Sequence, residues 1–384
     1  MAAPFILLCR RDGRTALLSE NNRLLEYEQG NGEEGSLSGT ILLGKVERVL
    51  PDIKAAFVKI GQPKNGFLPL KEADSFHQTN GNDPLMSGQE ILVQVKKDGK
   101  GEKGAFLTRD IALPGQYGLV MPRNRFIGVS KRVEDPEDHA RAKALGTQIS
   151  NGRFGLSVRH AALFARVQDV QEEIEALWQE WLALEKQAAC VKAPCVLRRE
   201  ASAAERLCRD YAARHSIIRH DEIEVGQTAM EALWDGAHVD RQLKEALLRR
   251  VELPQGGSLV IDEREALTTI DVNTGSAVQA ENRGQLPLEE NLRAVPEIAR
   301  QIRLRNLSGI LLVDFIDMDS DAQRNQVQKA MEEALSDDRV KTVVHGFTRL
   351  GLMEITRKRT RESLRELLTQ PCKACRETGR ITCG

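Results

Sequence analysis

Two short apolar runs in this chain each end in acid: Leu267-Thr-Thr-Ile-Asp271-Val-Asn273 and, some forty residues on, Gly309-Ile-Leu-Leu-Val-Asp314-Phe-Ile-Asp317. An uninterrupted apolar run suits a strand covered on both faces. The carboxylate that closes it emerges at the strand's C-terminal edge, where open α/β sheets place their sites. On neighbouring strands, Asp271 and Asp314 would stand side by side, with Asn273 beside them as a neutral oxygen ligand. Adjacent carboxylates repel unless they share a proton or a cation. A small set of hard oxygen ligands suits Mg²⁺, which keeps several waters and binds through one or two carboxylates plus substrate phosphate. The chemistry implied is metal-assisted cleavage of a phosphodiester. The plain alternative, that each Asp only caps a helix or starts a turn, is weakened by meeting two such runs, one with a D-x-N pair.

The elements that must carry these residues read as an α/β layer: strands at 258–262, 267–272, 309–315 and 340–346, with helices at 288–305 and 320–335. Pro296 lies inside the first helix and is expected to kink or break it. Upstream, residues 4–9 and 14–26 alternate like a strand hairpin turning at Asp12-Gly13, and the Gly/Glu/Ser-rich stretch 28–36 is a linker. Strand-like runs at 40–50, 54–60, 65–69 and 90–96, separated by turn signals, suggest a small closed barrel. Further strand-like runs fall at 117–121 and 155–159. Leu163, Val167, Val170, Ile174, Leu177, Trp181 and Leu184 then repeat at helical spacing, an apolar stripe that implies packing rather than a cofactor role. Residues 203–211 form a second helix.

With 384 residues, the chain is long for one domain and suggests two to four. A hydrophobic content of 41% is enough for real cores, and a formal charge of −1 gives no bulk attraction to nucleic acid. Local basic clusters would have to supply it: Lys96, Lys97 and Lys100, Arg123 and Arg125, Lys131 and Arg132, residues 300–305, and residues 357–361. Each cluster alone is equally a solvated face. The N-terminal apolar run is short and followed by Arg10 and Arg11, the reverse of a signal peptide. No stretch reaches the ~20 apolar residues a membrane span needs. Seven cysteines, odd in number and scattered except for one pair, argue against a disulfide framework. These features together point to a cytoplasmic protein.

Two further constellations carry chemistry. The barrel segment contains Ala55-Ala-Phe57-Val-Lys-Ile-Gly61 and Asn65-Gly-Phe67-Leu-Pro69, and later Gly101-Glu-Lys103-Gly104. In OB-type barrels, aromatics on one face stack unpaired bases while nearby cations hold the backbone. Phe57 and Phe67 suit the first role and Lys103 the second, against the alternative that both rings are core. Near the end, Cys372-Lys-Ala-Cys375 offers two thiolates, whereas structural zinc takes four ligands. Two chains giving two cysteines each would complete the site. A redox pair and an intrachain site using Cys383 are the other readings.

The order of these motifs resembles the catalytic half of the ribonuclease E/G family. The resemblance rests on A-A-F-V-x-x-G-x-x-x-x-G-F-L-P at the barrel and G-V-S-K-R at residues 128–132. Further on come L-T-x-I-D-x-N, E-I-A-R-Q-I-R-L-R-N-L at 297–307, D-F-I-D-M, R-x-G-L-M-E at 349–354 and the terminal C-x-x-C. It covers essentially the whole chain in one collinear order. It implies an α+β multidomain fold: a ribonuclease-H-like subdomain (1–36 and 187–250), an inserted OB-type RNA-binding barrel (37–112) and a 5′-sensor region with the long helix (113–186). A deoxyribonuclease-I-like catalytic subdomain (251–371) and a zinc-link (372–384) follow.

The implied activity is a Mg²⁺-dependent endoribonuclease that cuts single-stranded, A/U-rich RNA in rRNA maturation and mRNA decay, leaving 5′-phosphate and 3′-hydroxyl ends. By the same resemblance Asp271 and Asp314 hold the metal and Asn273 positions the site. Phe57, Phe67 and Lys103 grip RNA, and Arg159, His160 and Arg349 serve the 5′-phosphate sensor. Cys372 and Cys375 share one zinc across a homodimer. The chain departs from the family pattern at His160, where Thr is usual. It ends at Gly384, which sets a dimer as the expected assembly. The rival readings are a non-catalytic RNA-binding protein on the same scaffold and a structural partner docking through the long helix.

Overall fold

The chain begins with an antiparallel meander. In the computed structural model, which describes residues 5–11, 13–29, 37–74, 85–99, 103–133, 135–211, 216–219, 227–254, 256–274, 286–336, 338–370 and 372, the meander comprises β1 (Phe5–Arg11), β2 (Arg14–Ser19) and β3 (Leu24–Gln29). The single strand expected over 14–26 is therefore two. The chain reverses at Asn22, whose φ of +57° lies in the left-handed region that Asn tolerates, and the Arg23 amide donates to Ser19 Oγ at 3.2 Å. Residues 4–29 and 217–384 form one compact unit, and residues 30–216 form the other.

The unit formed by residues 30–216 starts with a closed barrel of β4 (Ile41–Leu50), β5 (Ala55–Lys59), β6 (Gly66–Pro69), β7 (Glu90–Lys97) and β8 (Phe106–Thr108), with the short helix α1 (Leu70–Asp74) between β6 and β7. The order β4-β5-β6-β8-β7 returns from β7 to β4, so all five strands are paired on both sides. Leu42, Val46, Ala56, Val58, Leu68, Val93, Val95 and Leu107 fill the interior. This is the small closed barrel expected from the turn spacing, with a fifth strand, β8, too short to show an alternation.

Next come β9 (Leu113–Pro114), β10 (Gly118–Met121), β11 (Ile127–Val129), α2 (Pro136–Ser150), β12 (Gly155–Val158) and α3 (Val167–Cys190). The four strands pair in the order β11-β12-β10-β9. The apolar stripe packs α3 into this region: Val170, Ile174, Trp181 and Leu184 share a core with Phe154, Leu156 and Val158. Each such side chain contributes about 1.5–3 kcal/mol. Leu163 of the stripe falls instead in a 3-10 turn (His160–Phe164) ahead of the helix. Then β13 (Cys195–Arg198) adds to the barrel strand β4, and α4 (Ala203–Tyr211) follows. After it, β14 (Ser216–Arg219) pairs with β1.

The remaining elements are α5 (Gln227–Gly236), α6 (Val239–Ala246), β15 (Arg250–Glu252), β16 (Ser258–Glu263), β17 (Leu267–Asn273), α7 (Leu286–Leu304), β18 (Gly309–Asp314), α8 (Asp321–Leu335), β19 (Thr342–Phe347), β20 (Leu352–Arg357) and α9 (Leu364–Leu368). They build a mixed six-stranded sheet ordered β15-β16-β17-β18-β20-β19, in which β17 and β18 run parallel. Helix α7 runs through Pro296 without a break. One sheet face is buried: Ile270, Val272, Leu311, Val313, Met353 and Ile355 pack on Ile298, Ile302, Val327 and Met331 of the two helices. The opposite face is open, so the expectation that the acidic strands are covered on both sides does not hold. The sheet is largely antiparallel, and such sheets accept one solvated face. No helix among the described residues is long and apolar enough to cross a membrane.

Candidate active site

Strand β17 alternates strictly. Thr268, Ile270 and Val272 are buried, while Thr269 and Asp271 are exposed. Strand β18 runs beside it, and the register places Asp271 directly opposite Asp314, both on the open face. Asn273, two residues further along β17 and on the same face, donates from Nδ2 to Asp271 Oδ2 at 2.8 Å. The sequence thus brings together the three residues expected to act together, and it does so through register rather than through a shared loop.

The electrostatics of the pair fit a cation. Partial burial raises the Asp314 carboxyl above its ordinary value, and the charges of Asp271 and Asp317 raise it further. Neither Asp271 nor Asp314 makes an ion pair among the described residues. The nearby Arg249 is engaged by Asp262, with Nε at 2.7 Å and Nη2 at 2.6 Å. No group of three or more His, Cys, Asp or Glu side chains able to cage a metal occurs among the described residues. Two facing carboxylates and an amide suit an ion that keeps most of its own waters, which is the habit of Mg²⁺.

The loop after β18 is held from behind. In Asp314-Phe-Ile-Asp317-Met the apolar residues point inward: Phe315 is buried, and Ile316 and Met318 pack on the same core. The acids are exposed. Asn291 on α7 is fully buried and clasps the backbone of Ile316, accepting from its N–H at 3.0 Å and donating to its carbonyl at 2.8 Å. Arg324 of α8 donates to the Met318 carbonyl at 2.9 Å. Asn291 belongs to none of the expected site residues, although an amide on the apolar face of a helix, between Leu288 and Val295, is the signal that marks it. Asp317 was legible as the second acid of its motif.

In the unit formed by residues 30–216, Phe57 and Phe67 are half-buried cross-strand neighbours with ring centroids 5.9 Å apart, edge to face. They lie outside the barrel, whose interior is filled by their neighbours Ala56, Val58 and Leu68. A third ring, Phe106, sits 6.0 Å from Phe67; it was not anticipated because β8 itself was not. Lys103 is exposed, next to Gly104, where any Cβ would collide with the Asn65 carbonyl oxygen just ahead of β6. Arg159 follows β12 and donates to Asp210 on α4 at 3.1 Å. The His160 ring packs on Phe164 at 4.9 Å. Arg349, in the same compact unit as the acidic pair, is exposed at the tip of the β19–β20 hairpin, whose second strand begins at Leu352 opposite Asp314. Cys372 is exposed, and Cys375 and Cys383 lie outside the described residues.

The carboxylate pair stands in register on a mixed sheet, in a chain that also carries a closed barrel with aromatics on its outside. The model of the ribonuclease E/G family matches residues 112–231 and 218–360. The chain is 35% identical to ribonuclease G of Haemophilus influenzae over 95% of its own length and 81% of the relative's. It is 36% identical to ribonuclease G of Escherichia coli over 89% and 77%. With ribonuclease E of a Nostoc species it shares 37% identity, over 88% of this chain and 53% of that one. The chain belongs to the ribonuclease E/G family.

Proposed function

We propose that this protein is an endoribonuclease that cuts single-stranded RNA at the edge formed by Asp271, Asn273 and Asp314, using Mg²⁺. The observation that carries the reading is the register of Asp271 against Asp314 on adjacent parallel strands, with Asn273 bonded to the first. Asp271 and Asp314 are the ligands, and Asn273 fixes the Asp271 carboxylate. A bound Mg²⁺ would lower the pKa of its water and neutralise charge building on the phosphodiester. The Asn291 clasp and the Arg324 bond keep the Asp314 loop from shifting as RNA arrives. The open sheet face leaves room for a strand passing over the acids.

The barrel, through Phe57, Phe67 and Lys103, holds unpaired bases. Unpaired A/U-rich segments are the expected targets because they cost least to splay out. Products carry 5′-phosphate and 3′-hydroxyl ends, and the natural substrates are rRNA precursors and mRNA. Arg159, His160 and Arg349 serve recognition of a 5′-monophosphate, with Asp210 holding the Arg159 guanidinium in place. Cys372 and Cys375 bind a zinc shared by two chains, and the protein works in the cytoplasm as a homodimer.

The test is cleavage of one labelled RNA, prepared with a 5′-monophosphate or a 5′-hydroxyl, with Mg²⁺ and with EDTA. Internal cleavage that requires Mg²⁺ and is faster on the monophosphate is expected. Cleavage undiminished by EDTA would remove the metal assignment, and equal rates on the two RNAs would remove the sensor assignment.

A further inference from the structure

A single row of side chains crosses all five strands on the outer face of the barrel. Cross-strand register sets Arg48 beside Phe57, Phe57 beside Phe67, Phe67 beside Phe106, and Phe106 beside Lys97. The residues next to the rings, Val58, Leu68 and Leu107, are buried inside the barrel, and register shifts separate the buried Val46 and Val95 from the exposed Arg48 and Lys97. The three rings are therefore not needed to fill the barrel. They are half-buried against one another at 5.9 and 6.0 Å, tilted by 68° and 47°, so each keeps part of its surface open. Arg48 and Lys97 at the two ends, and Lys103 next to the row, are exposed and make no ion pair among the described residues. Their neighbours differ: Lys96 is paired with Glu72 at 2.6 Å and Lys59 with Glu47 at 3.2 Å.

Aromatic rings in series with unneutralised cations at both ends match the chemistry of a single-stranded nucleic acid, whose bases stack while its phosphates pair with cations. An apolar protein segment would use the rings but leave the cations without partners. We propose that Phe106 is a third base-stacking residue, so that the barrel grips up to three consecutive unpaired bases between Arg48 and Lys97. This rests on the reading of the barrel as the RNA contact and extends its footprint beyond Phe57 and Phe67.

The experiment uses the full chain in EDTA, which prevents cleavage, and follows the anisotropy of a fluorescein-labelled oligouridylate of about ten nucleotides. Phe106→Leu keeps an apolar side chain and removes the ring. It is expected to weaken binding roughly 5- to 150-fold with an unchanged salt slope, since base–aromatic stacking is sequence-tolerant and uncharged. Phe106→Tyr keeps the ring and is expected to bind within about twofold of the parent. Lys97→Gln and Arg48→Gln are each expected to make the plot of log K against log salt shallower by about 0.7. The proposal is overturned if Phe106→Leu binds like the parent while Phe57→Leu and Phe67→Leu do not, because the footprint then ends at two rings. Equal loss in Phe106→Tyr and Phe106→Leu would also overturn it, assigning the effect to packing. If all three leucine variants bind like the parent, the barrel is not the RNA site and the underlying reading fails with the extension.

Discussion

Asp271 and Asp314 face each other because β17 and β18 run parallel in a register that sets them opposite, and among the described residues neither carboxylate has a cationic partner. Asp271→Asn or Asp314→Asn keeps the shape and removes one charge. Cleavage is expected to fall by roughly a thousandfold, the equivalent of about 4 kcal/mol of lost transition-state stabilisation. Binding of a labelled single strand in EDTA should change little. Near-parent cleavage by either variant with Mg²⁺ would show that the pair does not hold the catalytic ion. These residues were legible because strand periodicity and side-chain chemistry coincide in one short motif. Phe106 was not, because a three-residue strand shows no period and its role depends on Phe67 lying beside it.

The loop joining β18 to α8 shows how an element is set by its neighbours. Asn291 answers both backbone groups of Ile316 from inside the core, and no hydrophobic residue can do so. Asn291→Leu leaves the part-buried N–H and carbonyl of Ile316 without this partner, at a cost of up to about 1–3 kcal/mol for each. The expected outcome is a lower urea midpoint and a reduced kcat with RNA affinity retained. A variant with parent kcat would show that the clasp does not position Asp314. Strand β20 illustrates the reverse difficulty of reading. Leu352–Arg357 alternates between partly or fully exposed and buried positions, yet its charged members hide the pattern. Arg357 is buried only because Asp338 accepts from it at 2.6 and 3.1 Å, with Asn306 at 2.7 Å as a further acceptor.

In the larger architecture, residues 4–29 and 217–384 come together across a long insertion. Arg339 donates to Glu26 at 2.8 Å and also pairs with Glu28, and Arg361 lies 2.9 Å from Glu28, so β3 is fastened by charge as well as by its apolar face. Burial pushes the Asp338 carboxyl up, but the Arg357 hydrogen bonds and charge, with the Val340 amide and Thr342 hydroxyl, outweigh it and hold the group below its ordinary value of 3.8. A lowered acid stabilises the fold above its unfolded pKa and loses that contribution as pH falls through the folded value. Asp338→Asn leaves Arg357 buried without its charge partner and is expected to cost about 3–5 kcal/mol near neutral pH. The gap from the parent should close as the pH drops below the ordinary carboxylate range, measured by urea unfolding across a pH series. A gap that stays constant would mean the pair is not ionised. For the proposed assembly, Cys372→Ser is expected to remove bound zinc and convert dimer to monomer, read by metal analysis and light scattering. A zinc-free parent, or a variant that stays dimeric, would remove the shared site.

The amino-acid order alone marked the candidate residues for chemistry and most of the elements that carry them, because alternation, helical stripes and turn residues are local properties of the chain. It also settled the family, through motifs in one collinear order. The closure of the barrel by β8, the opening of one face of the sheet that carries Asp271 and Asp314, and the Asn291 and Arg357 networks came only with the tertiary structure. Each depends on partners tens or hundreds of residues away, and a buried amide or guanidinium reads as a surface residue until the group that satisfies it is brought alongside.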